Sequence, residues 1–248
     1  MTSKNILITG PSGFIGKNLV NFLEKKTTNK LYKFRHNDDL NELEQYIKDC
    51  DIVIHLAGVN RPPKEGDFDI ANRGFTQTLI DLLEKNNKRS PIIFSSSTQV
   101  NDHNLYGQSK LLAENMILDY GMNNQTNVYI LRLPGVFGRW CKPNYNSVVA
   151  TFSHNIANNL PIKIHDPKKE ISLLHVQDLI TNILTLIKYI PRIDNPISLR
   201  PVHKITLDKL AKAFKIFEEK NIRGEKYLPK DNFDEALYET FLSYKDKI

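Results

Sequence analysis

Short, almost wholly apolar runs alternate along the chain with longer segments whose apolar positions recur every three or four residues. Ile6 to Thr9, Leu31 to Arg35, Asp51 to Leu56, Pro91 to Ser95 and Val128 to Leu133 read as strands. Phe14 to Lys25, Leu40 to Lys48, Ile70 to Lys85 and Tyr106 to Tyr120 read as the helices between them. In the first helix Phe14, Ile15, Leu19, Val20, Phe22 and Leu23 form the inward face. Strands that are apolar on both faces and joined through helices predict a parallel, doubly wound α/β sheet. Past Pro134 the rhythm loosens into loops, a helix at Ser147 to Asn158 and a stretch from Ile171 to Ile190, and the tail from Thr206 is helical and charged.

Composition narrows the class. With 248 residues, 40 % of them hydrophobic and 25 % charged, the chain can bury a substantial core and reads as globular. No run approaches the ~20 apolar residues of a membrane span. The start, M-T-S-K-N-I-L-I-T-G, lacks a signal peptide's apolar stretch. A cytoplasmic protein without a membrane partner is expected, in a host's cytoplasm if the gene is viral. The two cysteines, Cys50 and Cys141, are far apart and lack metal-ligand spacing, so neither a disulfide framework nor a metal site is expected. The formal charge of +6 is scattered rather than striped. That argues against nucleic acid and suits a phosphorylated small molecule.

The first strand runs into T-G-P-S-G-F-I-G, with Gly10, Gly13 and Gly16 three apart. A turn from strand to helix needs glycine where backbone approaches a pyrophosphate, and the helix start supplies amides and a positive dipole end. Gly10, Ser12, Gly13, Phe14, Ile15 and Gly16 are therefore candidate cofactor residues in a Rossmann-type fold. The second strand closes on Arg35 and His36, where a cation would accept a 2′-phosphate, while Asp38 and Asp39 fall beyond the tip. NADPH is the expected cofactor. The domain reading is 1–133 for an NADP-binding subdomain, with 171–191 returning to it, and 134–170 with 192–248 for a small C-terminal substrate-binding lobe.

Candidate chemistry lies at S-S-S-T, 95 to 98, and Y-G-Q-S-K, 106 to 110. A ketone receiving hydride at carbon needs a proton at oxygen. A free phenol, with a pKa of ~10, needs help to provide it. Lys110, one turn after Tyr106, would lower that pKa and hold the nicotinamide ribose. Ser97, at a strand's carboxyl end, would hold the carbonyl oxygen together with the tyrosine. The catalytic candidates are Ser97, Tyr106 and Lys110.

T-G-x-x-G-F-I-G, H-L-A-G, S-S-S and Y-x-x-x-K together resemble the extended short-chain dehydrogenase/reductase family across nearly the whole chain. The resemblance implies that Leu56, Ala57 and Gly58 line the nicotinamide side with His55, and that Asn72 is a structural asparagine on the central helix. It also implies a homodimer through the Ile70–Lys85 and Tyr106–Tyr120 helices. H-L-A-G-V-N-R-P at 55 to 62 and W-C-K-P-N-Y-N-S-V-V-A-T-F at 140 to 152 resemble, more narrowly, the reductase half of bifunctional capsule-synthesis enzymes, which reduce a UDP-2-acetamido-2,6-dideoxy-hexos-4-ulose. The chain ends about where their cupin domain would begin, so that likeness implies 4-keto reduction and leaves 3-epimerisation elsewhere. Its pathway neighbours would be a 4,6-dehydratase upstream and a 2-epimerase downstream. Asn60, Arg61, Thr98, Arg139, Lys142, Asn144, Tyr145 and Asn146 offer cations for a diphosphate and amides or hydroxyls for sugar and uracil. His175 and Asp178, in H-V-Q-D, resemble a sheet-edge signature of the family, and His175 reads best as a hydrogen-bonded packing residue.

Three rivals use the same fold. A 4,6-dehydratase would carry an acidic pair after the threonine, where Gln99 and Val100 stand. An NAD-dependent 4-epimerase shares the tyrosine, and the Arg35/His36 tip tilts against it. A catalytically inactive NADPH-binding regulatory protein would usually have lost Tyr106 or Lys110.

Overall fold

The computed structural model describes residues 3–60, 69–102, 104–190 and 195–245. Strand β1 (Asn5–Thr9) passes through a glycine turn into α1 (Phe14–Lys26), followed by β2 (Lys30–Phe34), α2 (Leu40–Asp49) and β3 (Ile52–His55). A π-helical turn (Asp69–Gly74) leads into α3 (Phe75–Lys85) and β4 (Ile92–Ser97). A 3-10 turn (Thr98–Asn101), α4 (Leu105–Asn123) and β5 (Val128–Leu133) complete the set. The five strands form one sheet in the order β2-β1-β3-β4-β5, every pair parallel. The order reverses between β1 and β3, the kind of switch point outside which doubly wound sheets bind ligands.

The strand burial explains the apolar runs. Ile6, Leu7, Ile8, Ile52, Val53, Ile54, Ile92 and Ile93 are fully buried, as strands covered on both faces require. Two boundaries differ from the sequence pattern in ways that matter for function. β4 continues through Ser96 and Ser97, which pair with Arg132 and Leu133 of β5; ladder bonding overrides the weak strand preference of serine. The predicted Ile70–Lys85 helix begins instead as the π-helical turn, and Asn72 sits there, not on a regular α-helix.

The chain divides into two compact units, residues 1–133 with Thr181–Leu199, and Pro134–Ile180 with Arg200–Ile248. The second holds β6 (Gly135–Phe137), α5 (Val148–Ala157), β7 (Glu170–His175), the start of α6 (Val176–Tyr189), β8 (His203–Thr206), α7 (Leu207–Ile222) and α8 (Asn232–Lys245). Its sheet runs β6-β7-β8, with β6 and β7 parallel and β7 and β8 antiparallel. The return to the first unit begins at Thr181, against 171 in the sequence reading, because β7 is hydrogen-bonded into this second sheet. Phe137, Phe152, Phe214, Phe217 and Phe241 form the middle of its core. Among the described residues no helix is long and apolar enough to cross a membrane.

Candidate active site

The glycine turn is tight for a visible reason. Gly10 has φ +71°, and a Cβ there would fall 2.8 Å from the Ala57 amide nitrogen, so β1 and the segment after β3 touch backbone to backbone. The Gly10 amide donates to the Phe34 carbonyl at 3.1 Å, and the Gly13 amide to the Gly10 carbonyl at 3.2 Å. Gly13 is the N-cap of α1; it brings no side-chain cap, and the first turn carries no acidic residue. The amides of that turn lack intrahelical partners, so a diphosphate suits the place left open by Gly13. Ser12 and Gly13 are exposed beside it, Phe14 and Ile15 half-buried.

At the end of β2, Arg35 and His36 are exposed. Asp38 is nearer than the sequence order implied: its Oδ2 accepts from the Arg35 amide at 2.7 Å and lies 3.7 Å from that guanidinium. The turn folds back on itself because Asp39 is taken as N-cap of α2, accepting from the Asn41 amide at 2.8 Å. Asp38 therefore belongs to the tip.

Under the sheet's carboxyl edge runs a chain of buried polar groups. His55 meets Thr9 Oγ1 through Nδ1 at 2.7 Å and Thr76 Oγ1 through Nε2 at 3.0 Å. Burial, with the Lys110 charge adding to it, pushes His55 down to about 3, so it stays neutral. The Thr76 hydroxyl donates to the Asn72 carbonyl at 2.6 Å. The Asn72 side chain accepts from the Val59 amide at 2.8 Å and donates to the Val59 carbonyl and to Ser109 Oγ, each at 3.0 Å. Ser109 in turn donates to the Tyr106 carbonyl at 2.8 Å. The structural role implied for Asn72 is thus visible as bonds, from the π-helical turn to the segment after β3 and to α4.

Helix α4 begins where Asn104 Oδ1 accepts from the Gly107 amide at 2.7 Å. A Cβ at Gly107 would fall 2.0 Å from the Gln99 carbonyl oxygen, so the helix start lies directly on the 3-10 turn after β4. That packing sets the half-buried Tyr106 at the end of β4. Burial pushes its phenol above the ordinary value, and the Ser97 hydroxyl opposes part of that shift. This corrects the expectation that Lys110 lowers the phenol: desolvation dominates, and the net direction is up. Lys110 is itself 4 % exposed. Its Nζ donates to the Ser95 carbonyl at 3.0 Å and lies 4.8 Å from the Phe94 ring centre. Burial lowers it to about 8, with the charge of Glu114 opposing that fall. A Cβ on the exposed Gly58 would fall 2.8 Å from Asn72 Oδ1 and 2.9 Å from Lys110 Nζ, so these side chains lie beneath it.

Ser97, Tyr106 and Lys110 therefore lie at the end of β4 and the start of α4, with Gly58 and Asn72 beside Lys110 and Leu56 and Ala57 against Gly10. Asn60 is half-buried just after Val59, and Thr98 is exposed, its Oγ1 donating to the Leu133 carbonyl at 3.4 Å. Arg61 lies outside the described residues. Arg139, Lys142, Asn144, Tyr145 and Asn146 share one loop of the second unit, between β6 and α5. There the Arg139 guanidinium is 5.1 Å from the Trp140 ring and Lys142 Nζ is 5.3 Å from the Tyr145 ring. The loop is held in shape by Trp140 and Asn144, at φ +71° and +53°, and by the Asn144 amide donating to Thr151 Oγ1 at 3.0 Å. His175, half-buried and 5.2 Å from the Phe137 ring, is a packing residue whose burial lowers its pKa. Sequence reasoning passed over Ser96, Ser109, Glu114 and Arg132. For Glu114 the signal existed: it repeats the Tyr106–Lys110 interval once more, as the one carboxylate in the stretch L-L-A-E.

Residues 6–198 match the NAD dependent epimerase/dehydratase family. A UDP-2-acetamido-2,6-beta-L-arabino-hexul-4-ose reductase of Pseudomonas aeruginosa is 35 % identical over 243 residues, covering 96 % of this chain and 64 % of that protein. The crystal structure of capsular polysaccharide assembling protein CapF from Staphylococcus aureus is similar with a TM-score of 0.87 and 38 % identity over 97 % of this chain and 65 % of its own. The chain thus spans just under two thirds of these relatives. RMD from Pseudomonas aeruginosa, complexed with NADPH, shares the fold at a TM-score of 0.81 and 19 % identity, covering 99 % of this chain and all of its own.

Proposed function

The chain belongs to the NAD dependent epimerase/dehydratase family, and from that premise we propose that it is an NADPH-dependent reductase of the 4-keto group in a UDP-linked 2-acetamido-2,6-dideoxy-hexos-4-ulose. The observation that carries this reading is the buried Lys110, its Nζ donating to the Ser95 carbonyl at 3.0 Å at the carboxyl end of β4, on the same helix start as the half-buried Tyr106. The similarity to a UDP-hexulose reductase supports the choice of substrate.

NADPH, when bound, supplies the hydride. The residues suited to hold it are Gly10, Ser12, Gly13, Phe14, Ile15 and Gly16 at the diphosphate, Arg35 and His36 at the 2′-phosphate, and Leu56, Ala57, Gly58, Asn72 and Lys110 at the nicotinamide side. Tyr106 gives its phenolic proton to the ketone oxygen as carbon receives the hydride, so one proton and one hydride convert the ketone to an alcohol. Ser97 holds that oxygen and stabilises its growing negative charge. Lys110, charged below about pH 8, holds the nicotinamide ribose, and solvent returns the proton that Tyr106 gives up. The loop of Arg139, Lys142, Asn144, Tyr145 and Asn146 is assigned to the UDP part, with Asn60, Arg61 and Thr98 at the sugar. A homodimer belongs to the same proposal, as do a 4,6-dehydration that supplies the ketone and a 2-epimerisation that consumes the alcohol.

The test supplies NADPH and the ketone made from UDP-N-acetylglucosamine by a 5-inverting 4,6-dehydratase. Stoichiometric loss of NADPH absorbance, with NMR of the product showing a new alcohol at the 4-position, is the expected result. NADPH binding without turnover overturns the reading in favour of a binding protein; stereochemical exchange without NADPH consumption overturns it in favour of an epimerase.

A further inference from the structure

Helix α4 carries a third polar side chain on the face that holds Tyr106 and Lys110. Glu114, one turn past Lys110, is 2 % exposed. Arg132 of β5 grips its carboxylate, through Nε at 3.1 and 3.2 Å and Nη2 at 2.7 Å, and the Ser96 hydroxyl donates to it as well. Strand β4 therefore meets the helix at two successive residues: the Ser95 carbonyl accepts from Lys110, and Ser96 bonds Glu114 through its side chain.

We propose that Glu114, locked in place by Arg132 and Ser96, is a positioning residue that keeps Lys110 charged and directed at the Ser95 carbonyl. The effect on turnover rests on the reductase reading; the effect on Lys110 does not. Glu114 acts on the ammonium from its own helix, and His55 from β3. The Ser95 carbonyl and Phe94 ring face it from β4, and Asn72 from the π-helical turn. Arg132 of β5 stands behind Glu114. His55 is neutral, and of the Glu114–Arg132 pair it is the carboxylate, one helical turn away, that opposes desolvation of Lys110. The bidentate grip has a second consequence: it stops Glu114 from closing on Lys110 and drawing the ammonium away from Ser95.

The discriminating measurement is NMR titration of the Lys110 side chain in cofactor-free protein with isotope-labelled lysine, the signal assigned by its loss in Lys110→Met. The expected midpoint in the parent is about 8. Glu114→Gln should lower it by about one unit or more, since the opposing carboxylate is gone while Arg132 stays charged. In Glu114→Gln/Arg132→Gln, which restores a neutral hydrogen-bonded pair, the midpoint should still lie below the parent's, by less. A midpoint unchanged in either folded variant, with only thermal stability reduced, assigns the pair to holding helix on sheet and overturns the inference; failure of both variants to fold does the same. With the ketone and NADPH, the alkaline fall in kcat/KM should move to lower pH in Glu114→Gln, while the NADPH Kd at about pH 6, where Lys110 is charged in both, stays unchanged. If Lys110 titrates as expected and no ketone is reduced, the reductase reading falls and this inference stands.

Discussion

Tyr106 is half-buried, and that burial displaces its pKa upward. A general acid must hold its proton until the acceptor arrives, so an upward shift suits donation to a ketone across the neutral range. Tyr106→Phe should therefore lower kcat by about 100- to 10,000-fold while leaving the NADPH Kd within about twofold, measured by fluorescence titration; loss of both would remove the acid role. Lys110 titrates the other way. Its ammonium is depressed from 10.5 to about 8 by burial, so it carries charge below that point and loses it above. Reduction should slow as pH rises through about 8. The folded pKa lies below the unfolded one, so the burial penalty is fully present below pH 8 and relieved between 8 and 10.5. Unfolding by urea at several pH values should show a stabilising contribution from this group across that window, absent in Lys110→Met.

At the level of elements, the site depends on how α4 lands on the end of β4. Gly107 sets the closest approach, and Gly107→Ala would force its Cβ against the Gln99 carbonyl. That overlap should cost about 1–3 kcal/mol in denaturant unfolding and should lower kcat at least tenfold by moving Tyr106 off Ser97. In the proposed assignment the tip of β2 sets the choice between NADPH and NADH. Arg35→Ala should weaken NADPH by about tenfold or more and leave NADH binding nearly unchanged, as measured by calorimetry, since it removes a cation from the 2′-phosphate only. The five parallel strands, the glycine turn and the helix bearing Tyr106 and Lys110 were all legible from apolar runs and 3.6-residue spacing. The turn at Asp38 was not, because whether a carboxylate folds back onto Arg35 depends on which neighbour takes the α2 cap. The second unit's small sheet was not either: Gly135–Phe137 and His203–Thr206 are too short to show a period, and they become strands only by pairing with β7. The clamp on Glu114 was hidden for a similar reason, since Arg132 is an ordinary strand residue until the sheet sets it across from α4.

For the whole molecule, chemistry and substrate candidates divide between the two units. The glycine turn, Ser97, Tyr106 and Lys110 belong to the first, and the loop from Arg139 to Asn146 belongs to the second. Each unit has its own core, aliphatic around the parallel sheet and phenylalanine-rich in the second. Phe214 is fully buried there, its ring 5.6 Å from that of Phe217 and 6.3 Å from that of Phe241. Phe214→Ala should cost about 3–5 kcal/mol in urea unfolding. In the folded variant NADPH binding should persist, because every residue assigned to the cofactor lies in the first unit; a parallel loss of NADPH affinity would place part of its binding in the second.

The spacer inside Y-G-Q-S-K carries more information than the shorthand Y-x-x-x-K preserves. Gly107 has no room for a side chain, and Ser109 bonds both the Asn72 amide and the Tyr106 carbonyl. Only Gln108, exposed to solvent, is unconstrained by these contacts. A search pattern that treats all three spacer positions as wildcards admits any helix with a tyrosine and a lysine one turn apart. One that asks for a small residue after the tyrosine and a hydroxyl before the lysine selects helices able to seat that tyrosine as this one is seated.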